Sequence, residues 1–259
     1  MSTFESPAGR TRRSVLAGLL TVPFAGLANG CAPISTNEDE TPNARIALVY
    51  RGPAGCAGCS ETLAERLSQA PLGMDVAFIG PHEEFPLKAS ALSGVALYAQ
   101  PGGGDDIRAA VQSLPSSFIR GVGDFVATGG SYLGVCMGAY LAGSEGFGFL
   151  SGSVEGEVGV PDFPVTDSRD EVVAVTWGDT LRWTYFQEGA RLPREGAEAY
   201  AHYATGELAA ACYQFGDGSV GLIGPHPEAD ATWFEDAGLF DPDGDDWRYA
   251  LPLVKRIIS

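Results

Sequence analysis

The chain has 259 residues and a formal net charge of −17 at pH 7, with 33 acidic against 16 basic residues. So acidic a surface repels polyanions, which excludes nucleic acid and anionic lipid headgroups as partners. The length is sufficient for a leader followed by one domain with a substantial hydrophobic core.

The first 31 residues are typical of an export signal. A basic stretch with Arg12 and Arg13 precedes an apolar run from Val15 to Ala28, which ends at Gly30 and Cys31. The run is shorter than the ~20 apolar residues that cross a bilayer, which favours a signal peptide over a membrane-spanning helix. The pattern resembles a twin-arginine signal joined to a bacterial lipobox, with Cys31 as the lipidated residue. We therefore expect an exported protein, lipid-anchored on the outer face of the cytoplasmic membrane or extracellular, which meets membranes only through this anchor.

Residues 32–43 are polar and acidic and contain two prolines, which predicts a flexible linker. The remaining residues, 44–259, are predicted to form one domain.

Short apolar segments alternate with helical segments in the first half of this domain. Strands are predicted at 45–50, 74–80, 94–100 and 131–135, and helices at about 60–69 and 116–128. This alternation is typical of a parallel sheet covered on both faces. Later apolar segments follow one another closely at 171–177, 180–186, 197–204, 207–215 and 219–224. They predict an antiparallel extension that rejoins the main sheet at 219–224, with helices after it at about 229–236 and 247–258. The fold class is a three-layer α/β sandwich with a mainly parallel central sheet.

The stretch "LGVCMGAY" places Cys136 directly after an apolar strand, with Gly134 and Gly138 two residues away on either side. A nucleophile at a sharp strand-to-helix turn needs such neighbours, because strand and helix approach each other closely there. The amides at the start of the following helix favour a thiolate and can donate to an oxyanion, with the N–H of Met137 as the candidate donor. A buried, packed cysteine is the alternative interpretation.

His226 and Glu228 provide a candidate base and its orienting group. The chain has three histidines, and His226 stands in "GLIGPHPEA", directly after another apolar strand. The carboxyl ends of parallel strands converge at one edge of a sheet, so Cys136 and His226 can meet there. A carboxylate two residues from the imidazole can fix its tautomer and stabilise the imidazolium. A loop histidine capped by its neighbours is the plainer alternative.

The stretch "YAQPGGGDD" is a third strand that runs into a loop, here glycine-rich. Its glycines allow backbone amides to point into a site, and Gly103 and Gly104 are the candidate oxyanion donors. A tight turn is the alternative. A phosphate loop is excluded because no Gly-Lys-Ser/Thr follows, and the sequence predicts neither a cofactor nor a metal.

The motifs "VYRGPAGC", "PGGG", "GGSYLGVCMGAYLA", "YFQEGA" and "GPHPEA", in this order, resemble the class I glutamine amidotransferase-like superfamily. The resemblance implies a flavodoxin-like fold. Most closely they are similar to a stand-alone version of the N-terminal domain of fungal-type biotin–protein ligases. The resemblance implies that Cys136 is the nucleophile, His226 the base and Glu228 its orienting group. It also implies that Gly103 or Gly104 and Met137 supply the oxyanion amides.

Class I amidotransferases typically carry a glutamine four residues after the cysteine, where this chain has Tyr140. That departure argues against glutamine as the substrate. Tyr140, Asp105 and Tyr185 are the candidate substrate-pocket residues. The 259 residues hold no counterpart of the ligase's catalytic domain, so biotin ligation is not expected.

The stretch "GPAGCAGCSETL" places Cys56 and Cys59 between a strand and a helix, the local layout of a thioredoxin-like redox site. Disulfides form and persist in the oxidising environment outside the cytoplasm, so export favours a disulfide between these two cysteines. A zinc site would need two more ligands, for which His82 and Cys212 are poor candidates.

Three functions follow as hypotheses. The first is a Cys-His-Glu hydrolase or acyl transferase that acts on an amide-like or ester-like carbonyl of a small molecule or peptide. The second is a ligand-binding module on an amidotransferase-like scaffold without catalysis. The third is thiol–disulfide exchange through Cys56 and Cys59.

Overall fold

The computed structural model describes residues 45–259. The predicted export signal, the lipidation residue Cys31 and the linker 32–43 lie outside the described residues. Within 45–259, none of the helices is both long enough and apolar enough to cross a membrane.

The described part of the chain is built on a nine-stranded sheet with the strand order β2-β1-β3-β4-β11-β10-β9-β6-β7. Its strands are β1 (Ile46–Tyr50), β2 (Asp75–Ile79), β3 (Leu97–Gln100), β4 (Ser131–Val135), β6 (Glu171–Trp177), β7 (Thr180–Phe186), β9 (Glu198–Tyr203), β10 (Leu208–Phe215) and β11 (Gly218–Ile223). Two short strands, β5 (Glu155–Gly156) and β8 (Ala190–Arg191), form a separate antiparallel pair.

The sheet has a parallel and an antiparallel half, as the sequence predicts. Strands β2, β1, β3, β4 and β11 pair in parallel, and β11, β10, β9, β6 and β7 then pair antiparallel. Strand β4, which lies between β3 and β11, is buried along its whole length, in keeping with its largely apolar sequence. Strand β11 joins the two halves.

Helices cover both faces of the sheet. They are α1 (Cys59–Ser68), α2 (Ile107–Ser113), α3 (Ser116–Ala127), α4 (Met137–Leu141), α5 (Ala231–Ala237) and α6 (Trp247–Ile257). Buried side chains of α1 and α6 share one core cluster, whereas those of α2, α3 and α4 belong to the cluster on the opposite face. The predicted three-layer α/β sandwich is therefore confirmed.

The sequence analysis did not predict helix α2. It follows the glycine-rich loop directly and has seven residues, too few for a clear apolar period. Its start is nevertheless marked, because the side chain of Asp106 accepts a hydrogen bond from the N–H of Ala109 at 2.8 Å.

Candidate active site

Cys136 lies at a strained turn between β4 and α4. Its backbone has φ 49° and ψ −106°, a combination that residues with a side chain rarely adopt. The neighbouring glycines make room for the turn. A Cβ atom at Gly134 would lie 2.4 Å from the carbonyl oxygen of Gly138, and one at Gly138 would lie 2.2 Å from that of Gln100. This geometry is that of a nucleophile elbow.

The sheet brings Cys136 and His226 to the same edge. Strands β4 and β11 are parallel neighbours, with Val135 opposite Ile223 in the register. The pairing continues one residue further, because the N–H of Cys136 donates to the carbonyl oxygen of Ile223 at 2.8 Å. His226 follows Ile223 by three residues, so the two strand ends present thiol and imidazole side by side.

His226 and Glu228 form a buried ion pair, with Nδ1 of the imidazole 2.8 Å from Oε1 of the carboxylate. The Cys136 thiol is the other polar neighbour of the imidazole. Burial alone would lower the pKa of His226, but the neighbouring Glu228 and Cys136 side chains raise it to about 10. The environment therefore favours the imidazolium that a Cys-His pair needs opposite a thiolate.

The backbone around His226 is held by residues from distant elements. The N–H of His226 donates to the carbonyl oxygen of Tyr185 at 2.8 Å. On the other side, Nε of Arg66 in α1 donates to the carbonyl oxygen of Glu228 at 3.1 Å. The ring of Trp233 lies 5.3 Å from the imidazole, centroid to centroid, and its Nε1–H donates to Oγ1 of Thr62 at 3.3 Å. The sequence analysis assigned no role to Arg66 or Trp233.

The amides predicted to form an oxyanion hole lie beside the cysteine. Gly103 packs against Met137, since a Cβ atom at Gly103 would lie 2.8 Å from Cγ of Met137. Within 45–259, the backbone N–H groups of Gly103, Gly104 and Met137 donate no hydrogen bond to another backbone or side-chain group. All three residues line the cavity onto which Cys136 opens. They are therefore free to receive a developing negative charge.

The cavity has a volume of about 480 Å³ and contains two of the three predicted pocket residues, Tyr140 and Asp105. Tyr140 donates its hydroxyl to the carbonyl oxygen of Glu188 at 2.6 Å. The third residue, Tyr185, does not line this cavity. Its ring is absent from the cavity wall because it is buried against the rings of Trp233 and Phe234, with centroid distances of 5.4 and 5.3 Å.

The turn after β7 contributes two lining residues that the sequence analysis did not single out, Gln187 and Glu188. The carbonyl oxygen of Gln187 lies 3.5 Å from Sγ of Cys136, within hydrogen-bonding range for sulfur. Both residues stand inside the motif "YFQEGA", so the motif was the available signal.

The predicted disulfide between Cys56 and Cys59 is formed. It adjoins the site through Gly102, whose carbonyl oxygen accepts a hydrogen bond from the N–H of Cys56 at 2.9 Å. A Cβ atom at Gly102 would lie 3.4 Å from Sγ of Cys59 and 2.7 Å from Cε1 of His226. The disulfide and the imidazole thus pack against the same glycine. Cys212 is a free, buried cysteine on β10.

Comparison with known proteins agrees with this geometry. The family model described as "Biotin-protein ligase, N terminal" matches residues 46–171. A structure described as a GMP synthase subunit protein from Thermoplasma acidophilum aligns with a TM-score of 0.51 and 16% identity, covering 82% of this chain and 94% of that one. A structure of a glutamine amidotransferase aligns with a TM-score of 0.52 and 19% identity, covering 75% and 99% respectively.

A search of curated proteins finds no matching sequence. At such identities the two structures establish the fold, while the family match covers the segment from β1 to the start of β6 and includes the cysteine elbow. The chain therefore has an amidotransferase-like fold, and its residues 46–171 are similar to the N-terminal domain of biotin–protein ligases.

Proposed function

We propose that this protein is a cysteine hydrolase or acyl transferase that acts on an amide-like or ester-like carbonyl. The observation that carries the proposal is the set formed by Cys136, His226 and Glu228. A cysteine at a strained elbow opens onto a cavity, its thiol neighbours a buried imidazole, and that imidazole is paired with a carboxylate.

The chemistry follows from these groups. The Cys136 thiolate attacks the carbonyl carbon, and the carbonyl oxygen becomes an oxyanion that the free amides near Gly103 and Met137 can bind. The imidazolium of His226 gives its proton to the leaving amine or alcohol as the carbon–heteroatom bond breaks, which leaves a thioester on Cys136. His226 then takes a proton from water or an amine, and that nucleophile attacks the thioester and releases the thiol.

Glu228 keeps the imidazole in one orientation throughout. Its Oε1 is bonded to Nδ1 of His226, which leaves Nε2 for the thiol and the leaving group. The other carboxylate oxygen of Glu228 is buried and has no hydrogen-bond partner within the described residues. The charge of Glu228 therefore acts mainly on His226.

Alkylation of the folded protein with iodoacetamide tests the proposal, with modified cysteines located by peptide mass spectrometry. We expect Cys136 to react much faster than Cys212, whose thiol has a pKa raised by burial. His226→Ala should suppress the reaction at Cys136, whereas His82→Ala, which removes an exposed imidazole outside the site, should not. A folded protein with an unreactive Cys136 would instead favour the non-catalytic binding module.

Thiol–disulfide exchange is a second candidate, favoured by the position of Cys56 and Cys59 at the start of α1 after β1. Reduction of insulin by the dithiol form tests it. Turnover that persists in Cys136→Ser and disappears in Cys56→Ser would support exchange over acyl chemistry.

We also propose that the protein acts outside the cytoplasm, from the order of basic, apolar and small residues before Cys31. Replacing Arg12 and Arg13 with lysine should retain the protein in the cytoplasmic fraction if export uses the twin-arginine pair. Unchanged export of this double variant would contradict that route.

A further inference from the structure

The charges on the wall of the Cys136 cavity have one sign. Apart from the thiol of Cys136 and the phenol of Tyr140, the ionisable side chains among its lining residues are those of Asp105 and Glu188, and both are acidic. No lysine, arginine or histidine of the described residues lines the cavity. Apart from the buried imidazole of His226 beside Cys136, a ligand that enters therefore meets carboxylates and no basic side chain.

In the part of the chain that the structure describes, these two carboxylates have no counter-ion. Within residues 45–259, neither Asp105 nor Glu188 forms an ion pair or a side-chain hydrogen bond, although Arg191, close to Glu188 in sequence, pairs with Glu155. Partial burial, and then the charge of Asp105, raises the pKa of Glu188. A cation between two negative charges that face a common space offsets their mutual repulsion.

The backbone fixes Glu188 at this position. It has φ 47°, in the left-handed region that residues with a side chain enter at a cost. The hydroxyl of Tyr140 holds its carbonyl oxygen at 2.6 Å, and the N–H of Glu157 donates to the carbonyl oxygen of Gly189 at 3.0 Å. The unpaired carboxylate is therefore presented to the cavity by a turn that is pinned on both sides.

We propose that the cavity selects a substrate with a positive charge, an ammonium or guanidinium group, which Asp105 and Glu188 bind while Cys136 attacks the neighbouring carbonyl. This inference rests on the proposed function, because it names the substrate class of the same site. It also predicts that a ligand whose only charge is a carboxylate is disfavoured, because the cavity wall offers it no basic side chain.

Three methanethiosulfonate reagents that differ in charge test this inference on the full chain. They carry a trimethylammonioethyl, a methyl or a sulfonatoethyl group. In each case the thiolate attacks the sulfenyl sulfur, a mixed disulfide forms and methanesulfinate leaves. Rates at Cys136, followed by peptide mass spectrometry, are divided by the rates of the same reagents with a simple free thiol. The corrected rates then report the electrostatic field of the cavity, because differences in the intrinsic reactivity of the reagents have been divided out.

We expect the cationic reagent to modify Cys136 at least about 10-fold faster than the anionic one at low salt, after this correction. That ratio corresponds to ~1.4 kcal/mol, and it should fall as salt is added. The double variant Asp105→Asn/Glu188→Gln should bring the ratio close to one. Asp179→Asn/Asp217→Asn, which removes two exposed carboxylates outside the cavity, should leave it nearly unchanged.

The outcomes distinguish the selection of a cation by the cavity from the cysteine mechanism of the proposed function. A Cys136 that reacts rapidly and equally with all three reagents would overturn the selection of a cation and leave the cysteine mechanism standing. The same holds if both double variants change the ratio alike, because overall charge would then explain it. A Cys136 in folded protein that reacts with none of the reagents would overturn the mechanism and the inference together.

Discussion

Replacing Gly102 with alanine tests whether the tight packing around His226 is required for the reactivity of Cys136. Gly102 is buried between the imidazole and the disulfide, and its backbone is in a region open to alanine. The substitution keeps the N–H and carbonyl groups of the loop. It adds one methyl group, 2.7 Å from Cε1 of His226.

The size of the effect follows from this distance. Carbon atoms in contact prefer a separation of about 3.5–4.0 Å, so the ring or the loop must move by close to 1 Å. The imidazole cannot move freely, because Glu228 holds Nδ1 at 2.8 Å and Sγ of Cys59 lies 3.4 Å from the new methyl. Overpacking of this kind costs about 1–3 kcal/mol of stability. A displacement of about 1 Å in a catalytic group can cost ~10²-fold in rate.

Two measurements check the prediction: the iodoacetamide alkylation rate of Cys136 at pH 7 and the free energy of unfolding in urea. We expect Gly102→Ala to lower the rate at least about 10-fold, through the displaced imidazole, and to reduce stability within the range given for overpacking. Gly104→Ala is the matched control in the same loop, since its added methyl meets no atom within 4 Å. It should stay within about 0.5 kcal/mol of wild type. Equal alkylation rates in wild type and Gly102→Ala would refute the reasoning.

Three further predictions concern the charges and the disulfide of the site. Glu228→Gln removes the carboxylate whose charge helps to raise the pKa of His226. The alkylation rate of Cys136 at pH 7 should therefore fall about 10-fold. An unchanged rate would argue against a functional role for the His226–Glu228 pair. Because the pKa of His226 rises from its ordinary 6.5 to about 10 on folding, its contribution to stability is complete below pH 6.5 and is lost as pH rises towards 10. Urea titrations should show this loss in wild type and a flatter profile in His226→Gln; parallel profiles would contradict it. Replacing Cys56 and Cys59 with serine opens a short loop of sequence separation 3, so the free energy of unfolding should drop by about 2 kcal/mol. The backbone bond from Cys56 to Gly102 does not involve the two sulfur atoms, so Cys136 alkylation should stay within about threefold of wild type. Abolished alkylation would show instead that the disulfide itself holds the site in place.

Much of the architecture could be predicted because it depends on local pattern. The segments 171–177 and 180–186 coincide with β6 and β7, since turn residues bound each run and set its ends. The approach of Cys136 to His226 could also be anticipated, because it requires only that two parallel strands end at one edge of the sheet. The proposed triad was thus accessible from the order of strands and motifs.

Other features depend on packing between distant parts of the chain, which no local pattern encodes. Tyr185 forms a backbone bridge with His226, and its ring packs against Trp233 instead of lining the cavity. Both partners follow it in the chain by about 40 residues or more, so the local sequence does not show these contacts. The contact of Gly102 with His226 likewise joins segments more than a hundred residues apart. The lack of an ion-pair partner for Glu188 within the described residues also depends on tertiary structure, because the nearby Arg191 pairs with Glu155.

The pairing of β4 with β11 has a consequence for how such a protein can change. Cys136 and His226 are set by two adjacent strands whose register is fixed by five residue pairs. The chain between them, from α4 to β10, leaves one strand and returns beside it. Substitutions within that excursion that leave the backbone bond from His226 to Tyr185 intact can therefore reshape the cavity wall, where Glu188 lies, while β4 and β11 keep their register. Libraries that vary side chains in residues 150–195 would be the natural place to select new specificities of the proposed site.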